Sequence, residues 1–174
     1  MKLDFVHLNK AYTQGLNGLP AGYPVPSEED NVLFYIQRNQ NINTVIYQLN
    51  LTSEGCINHD RPLNVYWKEY ESNGNIKDIN LLQAKLAYGY QHSTINNNTI
   101  EIGVVSYPSY KIILTEIDGK YKALSKFGGE WQTLTNIYVY ADEFGAFPNV
   151  RYVELYGMEE ATGLPCFERL SISE

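Results

Sequence analysis

The sequence predicts a mainly-β domain, an antiparallel barrel or sandwich of eight to ten strands with one α-helix packed on it. Fifteen tyrosines in 174 residues favour pleated, half-buried positions. Asp118-Gly119, between two β-type runs, is the strongest hairpin signal in the chain, because both positions tolerate a positive φ. Residues 78–88 alone show a helical period. At this length, one hydrophobic core is expected.

The chain is expected to begin with an irregular arm over residues 1–31, followed by a single β-rich domain over residues 32–174. The arm is rich in glycine and proline, which interrupt regular structure. Residues 33–38 and 44–51 are β-type runs separated by a polar segment, so they predict a hairpin. A further strand is expected from Leu63 to Glu71, because its side chains alternate and Pro62 can open it.

The turn chemistry of Ser72-Asn73-Gly74 predicts that the chain then enters the helix. Asp78 is expected to cap its first turn, and Gly89 to end it in a left-handed conformation. Its apolar positions follow the i, i+3, i+7 spacing of a stripe that packs on the sheet: Ile79, Leu82 and Leu86.

The second half of the chain predicts only strands and turns. Gly128-Gly129 and Thr162-Gly163 supply turn chemistry in addition to Asp118-Gly119. The predicted strands cover residues 99–107, 110–117, 120–127, 130–141, 150–156 and 165–172.

Charge and hydropathy restrict the partners. The net charge is −7 and no lysine or arginine cluster occurs, so we expect no nucleic-acid partner. No apolar run is long enough to span a bilayer, and Met1 to Lys10 lacks the apolar core of a secretory signal. We therefore expect no membrane partner and a soluble, cytoplasmic protein, or an exported one if a native leader precedes this sequence.

Metal and cofactor chemistry has no recognisable motif. His7, His59 and His92 lie in separate segments, and Cys56 and Cys166 show no ligand spacing. We expect no metal, no cofactor and reduced cysteines. Hydrolase, phosphate-loop and dinucleotide motifs are also missing, which favours a protein that is not an enzyme.

The strongest candidate site lies on the strand that begins at Leu63. Trp67, Glu69 and Glu71 share one face with about 6.6 Å between successive members. An aromatic ring beside two carboxylates is typical of sugar sites, and Glu69 and Glu71 are weak candidates for a catalytic pair. The alternative is that Trp67 packs in the core and the glutamates are solvated. We predict that Trp67, Glu69 and Glu71, with Arg38 as counter-charge, line a ligand site at the strand end.

Three segments together resemble a known family: LFYIQRNQNINTVIYQLNL at 33–51, RPLNVYWKEYE with QAKLAYGY at 61–90, and VRYVELYGMEEATGLPCFE at 150–168. They resemble uncharacterised bacterial proteins grouped as domain of unknown function 4833, over about residues 32–172. The resemblance implies no activity and no catalytic residue. Members of that family often look exported, so it also implies export.

Three functions remain open. The first is a non-catalytic binding domain, whose small-molecule or glycan ligand lies in a barrel mouth or on a tyrosine-rich face. The second is a carbohydrate-active or other hydrolytic enzyme that uses paired carboxylates. The third is a purely structural interaction module with a flat surface.

Overall fold

The computed structural model describes residues 2–7, 23–26, 29–142 and 149–173, with side chains for all of these except residues 2–7 and 173. Most of the predicted irregular arm lies outside the described residues, although Lys2–His7 within it forms a strand. The division into an arm and one β-rich domain stays a prediction.

The described chain is mainly β, as predicted, and contains twelve strands, one α-helix and a short 3₁₀ helix at Tyr70–Ser72. The strands are β1 Lys2–His7, β2 Val32–Arg38, β3 Asn41–Leu49, β4 Leu63–Glu69, β5 Asn75–Asp78, β6 Tyr90–Asn96, β7 Thr99–Val104, β8 Ile112–Ile117, β9 Lys120–Phe127, β10 Glu130–Asp142, β11 Asn149–Glu159 and β12 Pro165–Ser173. The helix, α1, spans Leu81–Leu86.

The strands form one curled, open sheet, so the predicted closed barrel or two-sheet sandwich is wrong. The cause is β10, whose thirteen residues are long enough to pair with two strands on one edge. Residues 130–133 pair with β9, and residues 136–139 pair with β2 in parallel. The other edge of β10 pairs with β11, which continues to β12 and β1. One wing therefore runs β10-β9-β8-β7-β6 and the other runs β10-β2-β3-β4-β5.

Side chains bridge the gap between the two wings. The Tyr90 hydroxyl on β6 accepts from the backbone N–H of Leu63 on β4 at 3.0 Å and donates to the Leu63 carbonyl at 2.9 Å. The Tyr47 hydroxyl donates to the Tyr88 carbonyl at 2.8 Å. A tyrosine side chain thus satisfies backbone groups that a neighbouring strand would satisfy in a closed barrel.

The local turn predictions are confirmed. Asp118 and Gly119 have φ angles of 52° and 78° between β8 and β9, the left-handed geometry that a tight hairpin needs. Gly128 and Gly129 adopt 63° and 83° between β9 and β10. Gly163 also has a positive φ, at the turn between β11 and β12.

The helix prediction is largely wrong. The turn at Asn73 leads into β5, so Asp78 ends a strand and Asn80 caps the helix by accepting from the Gln83 N–H at 2.8 Å. Leu82 and Leu86, expected to pack on the sheet, are 66% and 59% exposed, and of the predicted stripe only Ile79 packs against the core. Six residues make fewer than two turns, too few to present a stripe to a sheet.

Gly89 has a different role from the predicted left-handed stop, because its φ is not positive. A Cβ there would lie 2.0 Å from the Ala84 carbonyl oxygen. The chain therefore needs glycine at this position to pass close to the helix backbone.

The core lies on the concave side of the sheet. It is built from β2, β3, β4, β7, β8, β9 and β10, with Phe34 stacked on Tyr47 at 4.4 Å. The convex face carries a second, tyrosine-rich cluster that includes Tyr35, Tyr66, Tyr138 and Tyr156. Alternation along each strand sends aliphatic side chains to one face and tyrosines to the other.

Candidate functional site

A polar cleft of about 210 Å³ lies where β2, β4, β5 and the start of α1 meet. Arg38, Trp67 and Glu69, three of the four predicted site residues, line it together. The complete lining is Arg38, Asn43, Trp67, Glu69, Lys77, Asp78, Asn80 and Gln83. The structure thus brings together side chains from strands that are not neighbours in the sheet, because β3 separates β2 from β4.

Arg38 is the most distinctive group of the cleft. Its guanidinium carbon lies 4.8 Å from the centre of the Trp67 ring and 5.9 Å from that of Tyr88, both within cation–π range. One terminal nitrogen donates to Gln40 Oε1 at 2.8 Å, but the buried Nε has no acceptor. Among the described side chains, no carboxylate forms an ion pair with Arg38. The cleft wall therefore carries a positive charge that no counter-ion of the protein compensates.

Trp67 forms part of the wall rather than an open platform. The side chain is 7% exposed, its ring makes an edge contact with Tyr88 at 5.2 Å, and Arg38 covers one face. Its indole Nε1 donates to Gln83 Oε1 at 3.2 Å. That same oxygen accepts from the Asn80 backbone N–H at 3.0 Å and closes the capping box of α1. The first turn of the helix is thus tied to the cleft wall.

The two glutamates are placed differently. Glu69, the last residue of β4, lies 3.6 Å from Lys77 across the β4–β5 hairpin, so its charged neighbour is a lysine. Glu71 lies in the 3₁₀ helix, is exposed and does not line the cleft. The strand was predicted to reach Glu71, but it ends at Glu69 because the chain turns and Asn73 takes a φ of 60°.

Tyr88 contributes a neutral hydroxyl close to Arg38. Burial raises the pKa of Tyr88, and the Arg38 guanidinium acts in the opposite direction. The phenol therefore stays protonated near neutral pH, and the guanidinium remains the charged group of this pair.

Sequence reasoning missed the side of the cleft that β5 and α1 supply. Lys77, Asp78, Asn80 and Gln83 were all assigned to one helix or left aside. The available signal was Asn73-Gly74, a dipeptide that also favours a hairpin when β-type residues flank it. Ile76 is one such residue on the returning strand.

An apolar groove of about 240 Å³ opens on the same concave face. Aliphatic side chains from six strands, with a few polar groups at Ser106, Tyr107 and Tyr110, line it. The complete lining is Ile36, Val104, Ser106, Tyr107, Tyr110, Ile112, Ile137, Val139, Val150, Val153, Leu155, Leu170 and Ile172. The polar cleft and this groove are thus two concavities of different chemistry.

The tyrosine-rich convex face, the other predicted ligand surface, is already internally paired. The buried Glu154 carboxylate accepts from the Tyr156 hydroxyl at 2.5 Å and from Arg169 at 2.5 and 2.9 Å. Burial and the adjacent Glu154 raise the pKa of Tyr156. The Tyr23 hydroxyl donates to the Arg38 carbonyl at 2.9 Å. These groups are mutually satisfied and offer little unused bonding capacity.

Two general searches concern the described part of the chain only. No helix in it is long and apolar enough to cross a bilayer. Nor do three or more histidine, cysteine, aspartate or glutamate side chains cluster there in a way that could hold a metal ion. Cys56 and Cys166 are both free thiols.

Comparison with known proteins bears out the family resemblance. The sequence model of a family described as "Domain of unknown function (DUF4833)" matches residues 34–169, which is well over half of the chain. No curated protein matches the chain. No solved structure matches it either.

Proposed function

The chain belongs to the family described as Domain of unknown function (DUF4833), and from its geometry we propose that it is a non-catalytic binding domain for a small molecule with an anionic group. The observation that carries the proposal is the Arg38 guanidinium, which lines the cleft without an ionic partner among the described residues. A charge held in a partly buried place costs solvation energy, and a bound anion offsets that cost.

The shape of the site supports a carboxylate as the anion. A guanidinium presents several N–H donors in one plane, which match the two oxygens of a carboxylate. Trp67 and Tyr88 hold the Arg38 plane on one side, so less conformational freedom is lost on binding. The Glu69–Lys77 pair on the opposite side is already neutralised.

A glycan is the less favoured ligand. Sugars typically stack on an open aromatic face, whereas Arg38 covers Trp67 and the ring is only 7% exposed. The cleft therefore recognises charge rather than a sugar ring.

A hydrolytic enzyme is the second candidate, favoured by one observation. Glu71 does not line the cleft, but Glu69 and Asp78 both do, so two carboxylates remain available. If this candidate is correct, Glu69→Gln or Asp78→Asn abolishes turnover of an aryl glycoside or aryl ester. A binding domain shows no turnover in any variant. The flat-surface module has less support, because two concavities are present.

The binding proposal is tested with benzoate and its neutral isostere benzamide. Trp131 is 49% exposed, so a Trp131→Phe background leaves Trp67 as the fluorescent reporter. We expect benzoate, but not benzamide, to change Trp67 emission in a saturable manner. Arg38→Met, which keeps side-chain bulk and removes the charge, should weaken benzoate binding at least tenfold, since charge-assisted hydrogen bonds contribute about 1.5–3 kcal/mol.

The control is Arg61→Met, which removes an exposed arginine that does not line the cleft. It should leave benzoate binding unchanged. Equal binding of benzoate and benzamide, or an equal effect of the two arginine variants, contradicts the proposal. Native mass spectrometry of freshly purified protein supplies an independent measurement, because a retained anion should be lost from Arg38→Met.

A further inference from the structure

The polar cleft and the apolar groove are adjacent on one face of the sheet. Ile36 in the groove and Arg38 in the cleft are two residues apart on β2, so their side chains point the same way about 6.6 Å apart. Val139 in the groove is the register partner of Arg38 across the parallel β2–β10 pair. The uncompensated charge therefore lies at the edge of an aliphatic surface.

The groove has the chemistry of a site for a hydrocarbon chain. Most of its lining is aliphatic, and its half-buried members, such as Val139, Val153 and Ile172, line an open surface rather than a filled core. Exposed apolar area of this kind is costly in water and gains free energy when an apolar ligand covers it.

We infer that the two concavities form one site for a single-chain amphipathic carboxylate, whose head group pairs with Arg38 and whose hydrocarbon chain lies in the groove. This inference rests on the proposed function and specifies its ligand class. Charge complementarity at one end and apolar surface at the other select an amphiphile over a small polar acid or a neutral lipid.

Straight-chain acids from acetate to decanoate, with octanol as the neutral comparison, test this inference by calorimetry. Each methylene that enters the groove should tighten binding by up to about fourfold, from the ~0.8 kcal/mol of a buried CH₂ group. Octanoate should therefore bind far more tightly than butyrate, and octanol much more weakly than octanoate. Arg38→Met should weaken octanoate at least tenfold.

Groove variants separate this inference from the proposed function. Val139→Phe and Ile172→Phe each add bulk to a half-buried lining position, and each should reduce octanoate binding while leaving butyrate binding unchanged. Val32→Phe is the matched control, because Val32 is half-buried against the tyrosine cluster of the opposite face. Thermal unfolding of each variant identifies any that fails to fold, and the remaining groove variant then decides.

The outcomes are distinguishable. If butyrate and octanoate bind equally and both depend on Arg38, the amphiphile inference is overturned and the proposed anion site survives. If Arg38→Met changes nothing, or octanol binds as well as octanoate, the proposed function itself fails. Chain-length dependence that persists unchanged in both groove variants also overturns the inference.

Discussion

Tyr90→Phe removes the hydroxyl that bridges the two wings of the sheet. The hydroxyl satisfies both the N–H and the carbonyl of Leu63, a residue that is only 1% exposed. Without it, two buried backbone groups lose their partner, at about 1–3 kcal/mol for each. Some relaxation and water entry is expected, so the unfolding free energy should fall by roughly 2–4 kcal/mol. For a chain of this size that corresponds to a melting temperature roughly 5–15 °C lower.

Urea denaturation measures the free energy, and amide hydrogen exchange measures the local effect. The Leu63 amide should exchange faster in Tyr90→Phe, because its N–H becomes free to meet water. The control is Tyr107→Phe, since Tyr107 is 37% exposed and its hydroxyl makes no hydrogen bond to any described residue. That variant should stay within about 0.5 kcal/mol of the parent. Equal losses in both variants, or unchanged exchange at Leu63, would refute the bridging role.

Three further predictions concern packing and pH. Gly157→Ala places a Cβ 1.9 Å from the Thr133 carbonyl oxygen and should cost about 3 kcal/mol, whereas Gly55→Ala, with nothing within 4 Å but a φ of 80°, should cost about 1 kcal/mol in urea denaturation; similar losses would contradict the steric reason. Burial raises the pKa of Tyr110 to about 12, so its neutral form stabilises the fold below pH 10 and that contribution should be lost as the pH rises from 10 to 12; a Tyr110→Phe variant with the same alkaline profile would argue against this cause. Leu82→Gln and Leu86→Gln should each change the unfolding free energy by no more than about 0.5 kcal/mol, because both leucines are exposed, and losses of 2 kcal/mol or more would restore the packed-stripe hypothesis.

The sequence by itself determined the mainly-β class, most of the strands and the tight turns. These features depend on interactions between neighbours in the chain. Asp118-Gly119 needs only its own tolerance of a positive φ, and β9 needs only the alternation of its side chains. The same alternation placed Trp67 and Glu69 on one face of β4, and both line the cleft.

Local signals failed where two structures shared one pattern. Residues 75–86 combine an Asn-Gly turn with a helical spacing of apolar residues, and the spacing was weighted more heavily. The structure divides the segment into β5 and a short helix, because β4 offers an edge with which residues 75–78 can pair. A free strand edge elsewhere in the chain leaves no trace in the local pattern.

Only the tertiary structure decided the branch at β10, the gap between β4 and β6, and the position of Arg38. Parallel pairing of β2 with β10 joins residues about a hundred positions apart, and no turn between them specifies the register. Arg38 reaches Trp67 past the intervening strand β3 because both side chains point to the concave face of a curled sheet. Curvature brings those side chains together, and curvature is a property of the whole sheet rather than of any segment of the sequence.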